Sequence, residues 1–124
     1  MITVCIESPL RGDIARNVRY ADTCLLDALM RGEAPFLGHL IYPRVLDDSI
    51  PHHRSWGIDA HVAWLRRAER LVVYVDLGIS SGMAAAMAVA REISLPIEHR
   101  TLGVGWERFM YQACPTPGFL VGAL

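Results

Sequence analysis

The stretch LVVYVDLGISSGMAAAM, residues 71–87, decides how this chain is read. Leu71 to Val75 is an apolar, largely β-branched run, the composition of a strand buried on both faces. Asp76 ends it, and Gly78, Ser80, Ser81 and Gly82 form a turn of small residues. From Met83 onward the alanine-rich sequence favours helix. A strand, a small-residue turn and a helix start together aim unpaired backbone N–H groups and the helix dipole at an anion. The turn therefore reads as a place for a phosphate or the polar edge of a sugar near Ser80–Gly82. An ordinary strand-to-helix turn that binds nothing has the same local sequence.

Outward from this stretch, the same alternation recurs. Ile2 to Ile6 is a short apolar strand, followed by the turn Glu7-Ser8-Pro9-Leu10-Arg11-Gly12-Asp13. Asp13 is placed to cap a helix from Ile14 to Met30 with Val18, Ala21, Leu25, Ala28 and Leu29 as its buried stripe, ended by Gly32. Pro35 to Tyr42 reads as a second strand carrying His39, either as a ligand-facing imidazole or as a core histidine. Pro43 to Arg54 reads as a charged loop, a lid over a pocket. Ser55 to Glu69 is a second long helix with Ile58, Val62, Leu65 and Ala68 inward, and Asp59 near its dipole-positive start. After the helix that ends near Ile93, Leu95 to Arg100 is a fourth strand, and Trp106 to Ala113 a short final helix. The apolar end, Phe119 to Leu124, is expected to dock on the core or on a second subunit.

Strands alternating with four-turn helices predict an α/β, Rossmann-like (flavodoxin-like) three-layer sandwich with a mostly parallel sheet of four or five strands, as one domain over residues 1–124. In such sheets ligands sit beyond the carboxyl ends of the strands. The loops there are Glu7–Asp13, Tyr42–His53 and Asp76–Gly82, which hold the unusual polar residues.

The totals narrow the function classes. The chain has 124 residues, 52% of them hydrophobic, and a net charge of −1. That length fits one domain, and that charge gives no bulk attraction to nucleic acid or to a membrane surface. No apolar run is long enough to span a bilayer. The start lacks a signal-peptide pattern, and Cys5, Cys24 and Cys114 have no metal-ligand spacing. Cys5 and Cys24 read as core thiols, and a cytoplasmic location is expected. His52-His53 and Asp47-Asp48 are adjacent pairs rather than helical i, i+3 or i, i+4 pairs, so neither a metal nor another cofactor is expected.

Four pieces carry a resemblance. They are Ser8-Pro9-Leu10-Arg11-Gly12 after the first strand, His39 on the second, Ala63-Trp64-Leu65-Arg66-Arg67-Ala68-Glu69 before the third, and Ser80-Ser81-Gly82 with its small-residue helix. Over residues 2–100 the chain resembles the nucleoside 2-deoxyribosyltransferase-like superfamily, which includes the 2′-deoxynucleoside 5′-phosphate N-hydrolases. The segments SPLRGD, RNVRYA, HLIYPRVLDD and LGISSGM resemble more closely a branch common in phages and actinobacteria. The resemblance implies a dimer or higher homo-oligomer that acts on nucleosides or nucleotides, cleaving the N-glycosidic bond through a glutamate nucleophile. It implies that Ser80, Ser81 and Gly82 hold a 5′-phosphate, where transferases have an aspartate matching Ser80 for the 5′-hydroxyl. Arg11 adds a charge-assisted contact. Ser8 and Gly12 frame the sugar or base, and His39 and Tyr42 touch the base or ribose.

The family's glutamate lies four residues after the glycine matching Gly82, and here that position is Ala86. Alanine is no nucleophile. Asp48, Asp59 and Asp76 are alternative carboxylates. Glu107 is another, in a glycine-rich segment, Leu102-Gly103-Val104-Gly105-Trp106-Glu107, that resembles the family's own turn but follows the fourth strand; it reads first as a coincidental helix start, and as the alternative it completes a site in a neighbouring subunit. Three readings stay open. One is a nucleotide-binding domain that keeps the pocket without the nucleophile. Another is an active N-glycosidase or deoxyribosyltransferase that uses another carboxylate or whose native glutamate was replaced. The third is an interaction module with a vestigial pocket.

Overall fold

The structure, a computed structural model, describes residues 1–109. Its order is β1 (Thr3–Glu7), α1 (Ile14–Met30), β2 (Ala34–Phe36), α2 (Gly38–Ile41), α3 (Pro51–Leu65), β3 (Arg70–Tyr74), α4 (Ser81–Glu92) and β4 (Ile97–Arg100). Single 3₁₀ turns occupy Tyr42–Arg44 and Trp106–Arg108. The four strands form one sheet in the order β2-β1-β3-β4, every pair parallel. Val4↔Arg70 and Leu71↔Ile97 set the central registers. This is the expected α/β Rossmann-like sandwich, with four strands among the described residues.

The period of two along the central strands divides the core into two layers. Val4, Ile6, Val72 and Tyr74 face α1, where they meet Tyr20, Ala21, Cys24 and Ala28. Cys5, Leu71 and Val73 face the opposite way, onto Leu65 of α3 and Met83, Met87 and Ala90 of α4. Both cysteines are fully buried free thiols, and burial raises each pKa, that of Cys5 to about 11. Asp13 caps α1, its Oδ1 accepting from the Arg16 N–H at 3.2 Å. The helix surrenders to Gly32, whose φ of +81° suits only glycine without strain.

Several boundaries differ from the sequence reading. The second strand stops at Phe36, because β2 is an edge strand whose ladder to β1 runs only over Ala34–Phe36. His39 therefore lies on α2, not on a strand. Helix α3 begins at Pro51, whose ring presets the φ of a first helical turn, and ends at Leu65 rather than Glu69. On α1, Leu29 is exposed and Tyr20 and Cys24 take the deepest positions. Ile58 is 53% exposed, because its part of α3 borders a cleft rather than the core. Of the proposed helix Trp106–Ala113, Trp106–Arg108 forms a 3₁₀ turn and Phe109 continues in helical conformation, while residues 110–113, with Cys114 and Phe119–Leu124, lie outside the described residues.

Candidate functional site

The carboxyl ends of β1 and β2 and the start of α4 open onto one cleft of about 440 Å³. The segments Glu7–Arg11, Gly38–Asp48, Arg54–Leu65 and Ser80–Val89 each contribute to its walls. The volume is that of a small-molecule site.

One wall is the start of α4. Ser80 is the N-cap: its Oγ accepts from the Met83 N–H at 3.2 Å. The Ala84 N–H donates to the Ser80 carbonyl oxygen at 3.0 Å. The N–H groups of Ser81 and Gly82 precede this ladder and have no acceptor within the helix. Gly82 has no side chain between its backbone and the cleft, and a Cβ built there would meet nothing closer than Ser80 Oγ at 4.0 Å. The glycine keeps the helix end open to a ligand rather than relieving a clash inside the protein. Arg11 stands at the rim and donates to Asp48 Oδ2 at 2.9 Å. Both side chains are mostly exposed, so the pair is worth at most about 1 kcal/mol and yields readily to an anion.

The floor is different. Glu7, the last residue of β1, has a side chain only 8% exposed. Two imidazoles approach its carboxylate: His61 Nε2 lies 3.2 Å from Oε1, and His39 Nδ1 lies 4.0 Å from Oε2. Neither of these ring nitrogens completes a hydrogen bond, and both are sealed from solvent. The other nitrogen of His39, Nε2, is 2.7 Å from Ser8 Oγ. With the His39 proton on Nδ1, facing the carboxylate, Nε2 accepts the Ser8 hydroxyl proton. Burial lowers the His39 pKa and His61 lowers it further, against the opposing pull of Glu7. Gly38 lets this cluster close, since a Cβ there would sit 3.1 Å from His61 Nδ1.

The structure thus brings together Ser8, Arg11, His39, Tyr42, Asp48, Ser80, Ser81, Gly82 and Ala86 around one cavity. Gly12 lies beside it with φ +97° but does not line it. The family's nucleophile position, Ala86, is in the wall, and its methyl group carries no chemistry. Three of the alternative carboxylates are elsewhere. Asp59 is exposed on α3 and Glu107 is exposed on the last 3₁₀ turn. Asp76 is a clasp: it accepts from the Tyr20 hydroxyl at 2.6 Å, the Leu102 N–H at 2.9 Å and the Gly103 N–H at 2.9 Å. Burial pushes its pKa up, but these donors outweigh burial and hold it below the usual value.

Glu7, Gly38, Arg54 and His61 line the cleft without having been singled out from the sequence. Glu7 had a readable signal, as a charged residue closing an apolar strand at the binding edge of a parallel sheet. His61 had none, because only the three-dimensional crossing of α3 over β1 sets it beside Glu7. No group of three or more His, Cys, Asp or Glu placed to hold a metal occurs among the described residues. No helix there is long and apolar enough to cross a membrane.

Residues 2–100 match the profile of a family described as "Domain of unknown function (DUF7768)". The chain belongs to that family. A search of the curated proteins finds no match for this DUF7768 chain. Among solved structures its fold is similar to that of a 2-deoxyribosyltransferase from the psychrotolerant bacterium Bacillus psychrosaccharolyticus. The TM-score is 0.66 at 10% identity, over 80% of this chain and 72% of the other. At that identity the likeness is one of fold alone, and it agrees with the parallel α/β sandwich of the DUF7768 chain.

Proposed function

We propose that the chain binds a nucleoside 5′-phosphate in this cleft. The phosphate lies at the Ser81 and Gly82 N–H groups, Arg11 swings from Asp48 to meet it, and the sugar and base extend over Ser8, His39 and Tyr42. The observation that carries the reading is the placement of an open helix N-terminus and a loosely held arginine on one wall of a cavity sized for a small molecule. The deoxyribosyltransferase fold supports a nucleoside as the rest of the ligand. A serine at position 80 suits a phosphate, which a carboxylate there would repel. The reading includes self-association of the chain, supported by the exposed Ile41, Val45 and Trp56 near the cleft.

The test is amide chemical-shift mapping during titration with a panel of nucleoside 5′-monophosphates. The largest saturable shifts are expected at Ser81, Gly82 and Arg11. Shifts scattered over the surface, or none, would overturn the assignment.

A further inference from the structure

The one completed side-chain hydrogen bond on the cleft floor has a direction. His39 Nε2 lies 2.7 Å from Ser8 Oγ, and the other ring nitrogen, Nδ1, faces Glu7 Oε2 at 4.0 Å. A lone pair on Nδ1 would point at a carboxylate, so the ring proton sits there and Nε2 is the basic nitrogen, accepting from the Ser8 hydroxyl. Carboxylate, imidazole and hydroxyl therefore follow one another, and all three residues line the cleft. A serine bonded to a histidine is by itself ordinary polar satisfaction. Here Nδ1 is also sealed from solvent and completes no hydrogen bond. Natural structures keep few such buried atoms, and those they keep call for an explanation such as a catalytic role. Burial holds the imidazole below its ordinary pKa, so at neutral pH the ring is neutral and free to take a proton. A hydroxyl within reach of a base whose far nitrogen is oriented by a third group is the mark of an activated nucleophile.

We propose that Ser8 is a catalytic nucleophile with His39 as its general base and Glu7 as a positioning residue, and that the cleft hydrolyses a small carboxylic ester. The inference goes beyond the nucleotide reading and does not rest on it. Apart from the polar floor and rim, the walls are apolar, with Leu46, Ile58, Val62, Met83, Ala86 and Val89 suited to a short acyl chain. Ser8 Oγ bonds to the carbonyl carbon as its proton passes to His39 Nε2. The cleft offers the Ser81 and Gly82 N–H groups on its α4 wall to the oxyanion. The intermediate collapses, the alcohol leaves with the proton from Nε2, and the acyl group stays on Ser8. Water then attacks the acyl-serine, giving its proton to Nε2, and that proton returns to Ser8 Oγ as the acid departs. The net change is ester plus water to acid plus alcohol. The Glu7 contact is long in the free protein and tightens as positive charge develops on the ring, a common behaviour of catalytic pairs before substrate binds.

The experiment follows nitrophenol release from p-nitrophenyl acetate and butyrate by the purified chain, and maps by mass spectrometry the residue labelled by a fluorophosphonate. The unmodified chain is expected to turn over the esters and to carry the label on Ser8. Ser8→Ala is expected to slow release by at least about 1,000-fold and to take no label. His39→Gln is expected to slow it by at least about 100-fold. Asp59→Asn, outside the cleft, is expected to stay within about twofold. Glu7→Gln removes the charge that raises the His39 pKa, so the rate falls and the acid limb of its pH profile moves to lower pH; an unmoved limb refutes the positioning role. Absence of label on Ser8, or release by Ser8→Ala at the unmodified rate, overturns the proposal. Should Ser8→Ala fail to fold, the mapped position of the label on the unmodified chain decides.

Discussion

Replacing Asp76 with alanine separates a structural carboxylate from a catalytic one. In the folded chain its oxygens accept from the Tyr20 hydroxyl at 2.6 Å and from the Leu102 and Gly103 N–H groups, each at 2.9 Å. These contacts bind the end of β3 to α1 and to the segment after β4. Tyr20 is fully buried, so its hydroxyl, losing its acceptor, costs about 1–3 kcal/mol. The two amides lie nearer solvent, and water replaces part of what they lose, so together they add about 1 kcal/mol. The total is about 3 kcal/mol. For a domain of this length that lowers Tm by roughly 10–15 °C. The assay is thermal and urea unfolding followed by far-ultraviolet circular dichroism.

The same contact gives a pH signature. The folded pKa of Asp76 is lowered, so its stabilisation is complete above the ordinary aspartate value of 3.8 and is lost as pH falls through the folded value. The stability gap between the unmodified chain and Asp76→Ala therefore narrows in acid below about pH 4. Nucleotide binding at 20 °C stays unchanged, because Asp76 does not line the cleft. A loss of less than about 1 kcal/mol would refute the clasp, and loss of ligand binding by a folded variant would show that Asp76 belongs to the site.

Two further substitutions probe the frame around the cleft. Glu33→Gln breaks a bidentate pair in which Arg100 donates to Glu33 at 2.8 and 3.0 Å, with both side chains under 10% exposed. Glu98 and the Tyr74 hydroxyl still hold the guanidinium, so the expected loss in urea unfolding is about 3 kcal/mol, the low end for a broken buried pair. Gly38→Ala places a methyl group 3.1 Å from His61 Nδ1 and so pushes that ring by a few tenths of an ångström. Its expected effect is a loss of about 1 kcal/mol or less in stability, together with a His61 ring shift visible by NMR; an unmoved His61 resonance would contradict the packing.

The architecture was legible wherever one strand lies between two others. Along β1 and β3 the apolar runs are continuous because both faces are covered, and the helix caps Asp13 and Ser80 stand where small polar residues precede helical sequence. Legibility fell at the edge. PFLGHLIY has strand composition, yet only its first two residues, Pro35 and Phe36, find partners on β1, and the chain coils into α2 at Gly38. That local event moves His39 from a strand onto a helix and brings it to Ser8. Three loops were correctly aimed at one rim, because the carboxyl edge of a parallel sheet follows from topology alone. The partners across the cleft were not readable. Asp76 is as close to the Ser80 turn in sequence as any catalytic carboxylate need be, but the chain after β4 folds back and takes its oxygens. His61 meets Glu7 across 54 positions, through a crossing that no local pattern encodes.

The measurement that tests the account most directly is a pair of calorimetric titrations, one with a nucleoside 5′-monophosphate and one with the same nucleoside lacking its phosphate. The account predicts a saturable heat for the monophosphate and an affinity at least about tenfold weaker for the nucleoside, the difference of roughly 1.4 kcal/mol expected from charge-assisted contacts at Arg11 and the start of α4. Equal affinities, or no binding of either, would contradict it.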